Sequence, residues 1–280
     1  MGQRCGIFVD ADELPQGLPG SVVKEETSLG DFTPHGAQAY STASDKSLIG
    51  DDGSQVHVRR VEDLQLLSGG VYTGQVGDND LPHGTGIQSW PDGTMYTGRW
   101  VAGAAHGHGK FVKANRCAYD GEWLDGRKHG DGVERMVDDS QYTGEFADGV
   151  KHGYGCVEWR SGASYIGDFL EDGFHGTGTF EWQDGRSYRG QWVMNKMHGQ
   201  GFFQWSGGES FEGRYEDDKK HGPGVFSWPD GSKCVGIWQR GKQHGIGTHV
   251  TSQGVTRRGH WVNGTLEQWL DPLHLEKTPE

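Results

Sequence analysis

Tyr96-Thr97-Gly98-Arg99-Trp100-Val101-Ala102-Gly103-Ala104-Ala105-His106-Gly107-His108-Gly109-Lys110-Phe111 is one copy of a pattern that the chain keeps repeating. The histidines recur at His83, His106, His129, His152, His175, His198, His221 and His244, 23 residues apart without a slip. Each is followed by Gly, one free residue and Gly. A second series runs ahead of them: Tyr72, Tyr96, Tyr119, Tyr142, Tyr165, Tyr188, Phe211 and Cys234, each two residues before a glycine. Self-similarity at a fixed period marks an array in which one supersecondary unit stacks on copies of itself. Residues that recur in every unit do not make one unique catalytic centre, so the chain is expected not to be an enzyme.

The period of the side chains points to strands. Alternation puts Tyr96, Gly98 and Trp100 on one face, and likewise Gly176, Gly178, Phe180 and Trp182. A ring can lie flat over a neighbouring glycine because no Cβ intervenes, so aromatics offset the weakness that glycine brings to a strand. Turn chemistry falls where strands must end. Trp90-Pro91-Asp92-Gly93 and Trp228-Pro229-Asp230-Gly231 repeat one turn, and Gln183-Asp184-Gly185 and Ser161-Gly162 stand in the same place. Proline presets φ, aspartate bonds its own backbone, and glycine accepts positive φ. Two strands per repeat joined by short turns predict an all-β, antiparallel succession of hairpins.

Composition agrees. Glycine supplies 49 residues and tryptophan 11, while only 32% of the chain is hydrophobic. A three-layer core is not expected; a thin sheet of aromatics on glycines is. The net charge of −13 argues against nucleic acid, since phosphate binding needs clustered Lys and Arg. The four cysteines have neither paired nor metal-type spacing, and no apolar run long enough to span a bilayer occurs. The chain is expected to be cytoplasmic with reduced thiols.

Tyr-x-Gly-x-Trp-x-x-Gly-x-x-His-Gly-x-Gly, followed by Asp-Gly and the next Tyr, resembles the MORN (membrane occupation and recognition nexus) repeat. Eight copies are recognisable, and a degenerate ninth starts near Arg257-Arg258-Gly259-His260-Trp261. Cys234 replaces the aromatic in copy eight, and Asp138-Asp139-Ser140 lacks the turn glycine. The resemblance implies an elongated, curved, single-layer meander of about nine hairpins, used for scaffolding, protein docking or membrane association. The array is expected over 70–262. Residues 1–53, rich in Gly, Ser, Asp and Pro, read as disordered, 54–69 as a lead-in strand, and 263–280 as a tail. In the tail, Leu266, Trp269, Leu270 and Leu273 fit one helical face behind Thr265, until Pro272 interrupts it.

Candidate sites follow from the repeats and the ends. The eight histidines are read as structural, anchoring the hairpin bends. Strand spacing sets them ~10 Å apart, too far to share a metal ion. The His-Gly-x-Gly segments carry no phosphate-loop continuation, so no cofactor is expected. At period-two spacing the aromatic stripe is first of all the core of a thin sheet; in a single layer one aromatic face can also stay accessible, and Trp100, Trp123, Phe146, Phe169, Trp192, Tyr215 and Trp238 are expected to line that face and bind a partner. Gly2 and Cys5 fit myristoylation and palmitoylation, except that Gly6 stands where Ser or Thr is usual. Such a chain would be peripheral on the cytoplasmic side of a membrane. The expected function is a scaffold docking a protein partner at a membrane or cytoskeletal structure. The alternatives are a phospholipid-recognition module and a regulatory subunit of a separate enzyme. Open sheet edges further suggest a weak homodimer.

Overall fold

The computed structural model describes residues 46–49, 55–66, 69–114 and 116–271. Gly2, Cys5, Pro272 and Leu273 lie outside the described residues. Twenty strands and no helix are found among the described residues. They fall in two compact units. One holds the described residues up to Arg160, with Phe169–Asp172; the other holds Ser161–Asp168 and the described residues from Gly173 on.

The first unit contains β1 (Lys46–Ile49), β2 (Gln55–Gln65), β3 (Val71–Val76), β4 (Pro82–Ser89), β5 (Met95–Val101), β6 (Ala104–Val112), β7 (Ala118–Leu124), β8 (Arg127–Arg135), β9 (Gln141–Ala147) and β10 (Val150–Glu158). Each pairs antiparallel with the next. β11 (Ser164–Leu170) follows. The second unit then runs through β12 (Gly173–Glu181), β13 (Ser187–Val193), β14 (Lys196–Gln204), β15 (Ser210–Glu216), β16 (Lys219–Ser227), β17 (Lys233–Gln239), β18 (Lys242–Val250), β19 (Thr256–Val262) and β20 (Thr265–Trp269). These too pair consecutively and antiparallel. The hairpin meander expected from the period is what each unit is.

Two kinds of turn alternate. On the histidine side, two-residue turns take positive φ at both positions, as at Asp125-Gly126, Met194-Asn195 and Asn263-Gly264. That is the mirror-image turn whose twist matches paired strands. The second turn residue then donates its N–H to the carbonyl just before the preceding repeat's histidine. Gly126 N donates to Ala105 O at 2.9 Å, and Asn195 N to Phe174 O at 3.0 Å. On the tryptophan side the turn is longer. Trp182 N donates to Arg186 O at 2.9 Å and Gly185 N to Trp182 O at 3.0 Å, with Gly185 at φ 85°. In the turn without glycine, Asp139 takes that conformation at φ 64°, which aspartate tolerates better than most residues.

A glycine ladder crosses each unit. Gly178 opposes Gly190, Gly190 opposes Gly201, Gly201 opposes Gly213, and Gly213 opposes Gly224. The tyrosine rings lie across this ladder. A Cβ on Gly190 would fall 2.6 Å from both the Tyr188 hydroxyl and Gly201 Cα. The hydroxyl donates forward to a carbonyl three residues on, at 2.8 Å from Tyr119 to Glu122 and 3.0 Å from Tyr188 to Gln191. Burial raises the phenol pKa values of Tyr72, Tyr96, Tyr119, Tyr142 and Tyr188 above their ordinary value.

The described residues bear on two sequence expectations. Of 1–53, which composition marks as largely disordered, residues 46–49 are described and form β1; Lys46 pairs with Val58 and Ile49 with Gln55. An available strand edge supplies backbone partners that composition does not register. Over the described part of the tail, 263–271, the expected helix is replaced by β20. Asn263-Gly264, a strong hairpin signal, turns the chain back along β19. Trp261 pairs with Leu266 and Gly259 with Trp269, and Leu270 N donates to Arg258 O at 2.9 Å. Thr265 therefore opens a strand, and a short helix would have lacked the length to repay its nucleation.

Candidate functional site

The aromatic residues expected to form an accessible face form the core instead. Trp100, Trp123, Phe146, Phe169, Trp192, Tyr215 and Trp238 are all buried, none more than 4% exposed. Alternation places them correctly on the tyrosine face, but it does not show that the rings interlock. Tyr96 meets Trp100 edge-on at 4.8 Å and Trp123 at 5.2 Å; Tyr119 meets Trp123 at 5.2 Å and Phe146 at 5.0 Å. In the second unit Tyr188 meets Trp192 at 5.0 Å and Tyr215 at 5.2 Å. Each such pair contributes about 0.5–1.5 kcal/mol beyond its burial. The residue before each histidine closes the far side, as Phe174 does 5.6 Å from Trp192. Two indole N–H groups bond strand carbonyls: Trp123 Nε1 donates to Gly109 O at 2.9 Å, and Trp192 Nε1 to Gly178 O at 3.1 Å.

The eight histidines stand at the bulge that opens each even strand, one residue before a glycine of positive φ. Three of them reach the hairpin turn of the next repeat, whereas His221 Nδ1 lies 3.0 Å from Glu216. His83 Nδ1 accepts from Ala102 N at 3.4 Å, His244 Nδ1 accepts from Asn263 N at 3.5 Å, and His106 Nδ1 lies 3.8 Å from Asp125. No cluster of three or more potential metal ligands occurs among the described residues.

In the first unit, charge replaces aromatics. Lys128 and Lys151 precede His129 and His152, and Glu134 stands where other repeats carry Phe111, Phe180 or Phe203. Both lysines are buried. Glu134 is paired with Lys128 and lies 3.1 Å from Lys151, which also approaches Asp172 at 3.9 Å. Burial works to raise the Glu134 pKa, and the two ammonium groups overcome it, holding the carboxyl below its ordinary value. Lys220, at the same repeat position, instead lies 4.8 Å from the Trp238 ring and 5.3 Å from Trp205.

The aromatic row that does reach the surface comes two residues after the core phenylalanines. Trp182, Trp205 and Trp228 are half-buried. Each sits at the mouth of its turn, and its backbone both donates to and accepts from that turn, so the turn fixes where the indole projects. Trp182 packs 4.5 Å from Phe180 and 5.4 Å from Phe203; Trp205 lies 4.4 Å from Phe203 and 5.5 Å from Phe226; Trp228 lies 4.8 Å from Phe226. The rings tilt 42–59° against those phenylalanines, so the same inclination recurs from strand to strand. The Arg186 guanidinium lies 5.4 Å over Trp182 and is held by Asp184 at 2.8 Å. Asp184 is kept below the usual carboxylate range by the Arg186 hydrogen bond, and Asp230 by the hydrogen bond from Ser232. Sequence reasoning missed this row as a surface. The signal was present in Trp159, Trp182, Trp205 and Trp228, which share the 23-residue period at the turn entrance.

The MORN repeat family matches residues 72–95, 96–118, 119–141, 142–164, 165–185, 188–210, 211–233 and 234–256. The chain belongs to the MORN repeat family. No curated protein matches it. Among solved structures, it is similar to the Drosophila melanogaster SAS-4 (dCPAP) TCP domain in complex with a proline-rich motif of Ana2 (dSTIL). That match has 10% identity and TM-score 0.28, covering 81% of this chain and 98% of that chain. It is also similar to the wild-type Danio rerio CPAP TCP10 domain in complex with a STIL peptide. There the identity is 12% and the TM-score 0.27, covering 69% of this chain and 97% of that chain.

Proposed function

We propose that the protein is a non-enzymatic scaffold whose repeats dock a protein partner at a membrane or cytoskeletal structure. One observation carries this reading: Trp182, Trp205 and Trp228 are only half-buried, in register, against the buried rings of Phe180, Phe203 and Phe226. Apolar rings left accessible in an ordered row mark an interaction surface rather than unspent core. Gly2 and Cys5 are the proposed acylation sites. A single acyl chain gives marginal binding, so both would be needed for stable attachment. The acidic balance of the chain disfavours the phospholipid-recognition alternative, which gains from basic residues near the surface.

Affinity capture from cells with the full chain and its Trp205→Ala variant tests the docking surface. Proteins retained by the parent should be lost with a variant whose circular dichroism is unchanged. An identical retained set would remove the tryptophan row from the reading. Sedimentation with phosphatidylcholine vesicles, with and without phosphatidylserine, tests the alternative. Pelleting that depends on the anionic lipid would favour lipid recognition over scaffolding.

A further inference from the structure

Resting on the docking reading, we propose that Trp182, Trp205 and Trp228 seat an extended polyproline II segment. It would carry a proline at every third residue and Lys or Arg between the prolines. The period carries the assignment. Trp182 and Trp205 are joined through Phe203 by steps of 5.4 Å and 4.4 Å, so their centroids are less than 10 Å apart. Two strand spacings give ~9.6 Å for the same interval. A polyproline II helix repeats every three residues and rises ~3.1 Å per residue, which advances ~9.3 Å per repeat. An α-helix brings a side chain back to the same line after two turns, ~10.8 Å, longer than the Trp182–Trp205 path permits. A β-strand alternates faces, so its third residue points away. Among regular extended chains, polyproline II alone matches the indoles in both spacing and facing.

The ring chemistry agrees. Proline is rigid and apolar, and its ordering on aromatic surfaces costs little conformational entropy. Charge supplies the second requirement. The turns that carry the row hold Asp184, Glu209 and Asp230 against Arg186, with the Lys220 ammonium 5.3 Å from the Trp205 ring. Arg186 is already committed to Asp184. Asp184 and Asp230 are exposed. A ligand with cationic side chains between its prolines complements that rim, which sets approach and register.

Fluorescence anisotropy with labelled synthetic peptides tests this on the full chain. The probe is a twelve-residue peptide with proline at every third position and arginine and alanine between. The comparators are a peptide of the same composition with its prolines paired, a peptide of the same length with prolines every fourth residue, and a basic amphipathic helical peptide. The probe should bind at least tenfold tighter than every comparator. Asp230→Asn should weaken it several-fold and flatten its salt dependence. Trp205→Ala should weaken it at least tenfold. Asp230→Asn keeps the Ser232 hydrogen bond possible, so it remains informative if Trp205→Ala fails to fold. Equal binding of the peptides with altered proline spacing would reduce the site to charge alone and overturn the proposal. So would preference for the helical peptide, or absence of binding by the probe. If cellular partners depend on Trp205 while no peptide binds, docking stands and the polyproline assignment falls.

Discussion

Tyr188 lies flat across Gly201, ring against backbone, with no space left for a side chain between them. The same ring also sits over Gly190, 2.6 Å from where a Cβ would stand. Tyr188 is fully buried and held by its hydrogen bond to Gln191 O, so it has nowhere to move. Gly201→Ala should therefore cost about 3 kcal/mol, the upper part of the overpacking range. Tyr188→Phe should cost only about 1 kcal/mol, the worth of one hydrogen bond; Phe211 already fills the equivalent place two strands on. Urea unfolding of both variants, followed by tryptophan fluorescence, measures the difference. Similar losses for the two would mean that the ring is not pinned.

Met194 is a side chain in the wrong conformation. It takes φ 47° and Asn195 φ 67° in a two-residue turn, where left-handed geometry costs an ordinary residue about 1–2 kcal/mol. Met194→Asn should raise stability by about 0.5–1 kcal/mol, since Asn-containing turns of this type are favoured. Asn195→Gly should not help, although glycine suits the angle. Asn195 Oδ1 accepts from Phe174 N at 2.7 Å, and losing that bond costs about 1 kcal/mol. Thermal unfolding of the two variants should move Tm in opposite directions.

Glu134 is shared by two buried ammonium groups, those of Lys128 and Lys151. Removing it as Glu134→Gln leaves Lys128 and Lys151 short of compensation, at a cost of about 3–5 kcal/mol. Replacing the cluster together, as Lys128→Met, Glu134→Phe and Lys151→Met, should be neutral or stabilising, because other repeats carry Met197 and Phe203 at those positions. The pH dependence follows in sign. The carboxyl is held below its ordinary value in the folded chain. Its contribution is thus complete above the unfolded carboxylate pKa and is lost as pH falls through the lower folded value. Urea midpoints taken between pH 7 and pH 3 should drop less in the triple variant than in the parent. Parallel curves would show that the cluster is not linked to acid unfolding.

Fold and site differed in how far the sequence revealed them. The 23-residue histidine step and the turn chemistry at Trp90 and Trp228 carried the hairpin meander, because each hairpin is a local object. Trp100 and Trp192 were assigned to the correct face but the wrong environment, because burial there depends on Tyr72, Tyr165 and Phe174 reaching them from neighbouring strands. Thr265 and Leu266 followed helical spacing over too few residues for the period to outweigh the Asn263-Gly264 turn. The exposed row at Trp182, Trp205 and Trp228 shares the periodicity of the buried rows. Only the turn on which each indole sits separates them.

Cys234 occupies the tyrosine position of the eighth repeat, fully buried, with its Sγ 3.1 Å from Gln243 Oε1. Burial pushes its thiol pKa up to about 11. Alkylating reagents attack the thiolate, so native Cys234 should be protected on both counts, access and ionisation. Cys117 and Cys156 are half-buried, and burial raises the Cys156 pKa as well. In a Cys5→Ser background, iodoacetamide at pH 8 should label Cys117 first, Cys156 more slowly, and Cys234 only as fast as the surrounding strands open. The folded pKa of Cys234 lies above its ordinary value near 9. Its contribution to stability is therefore complete below about pH 9 and is lost as pH rises through about 11. Peptide mass spectrometry of timed samples gives the three rates, and sub-denaturing urea should accelerate Cys234 alone if the eighth repeat opens locally. Native labelling of Cys234 as fast as Cys117 would show that the C-terminal hairpins do not enclose it.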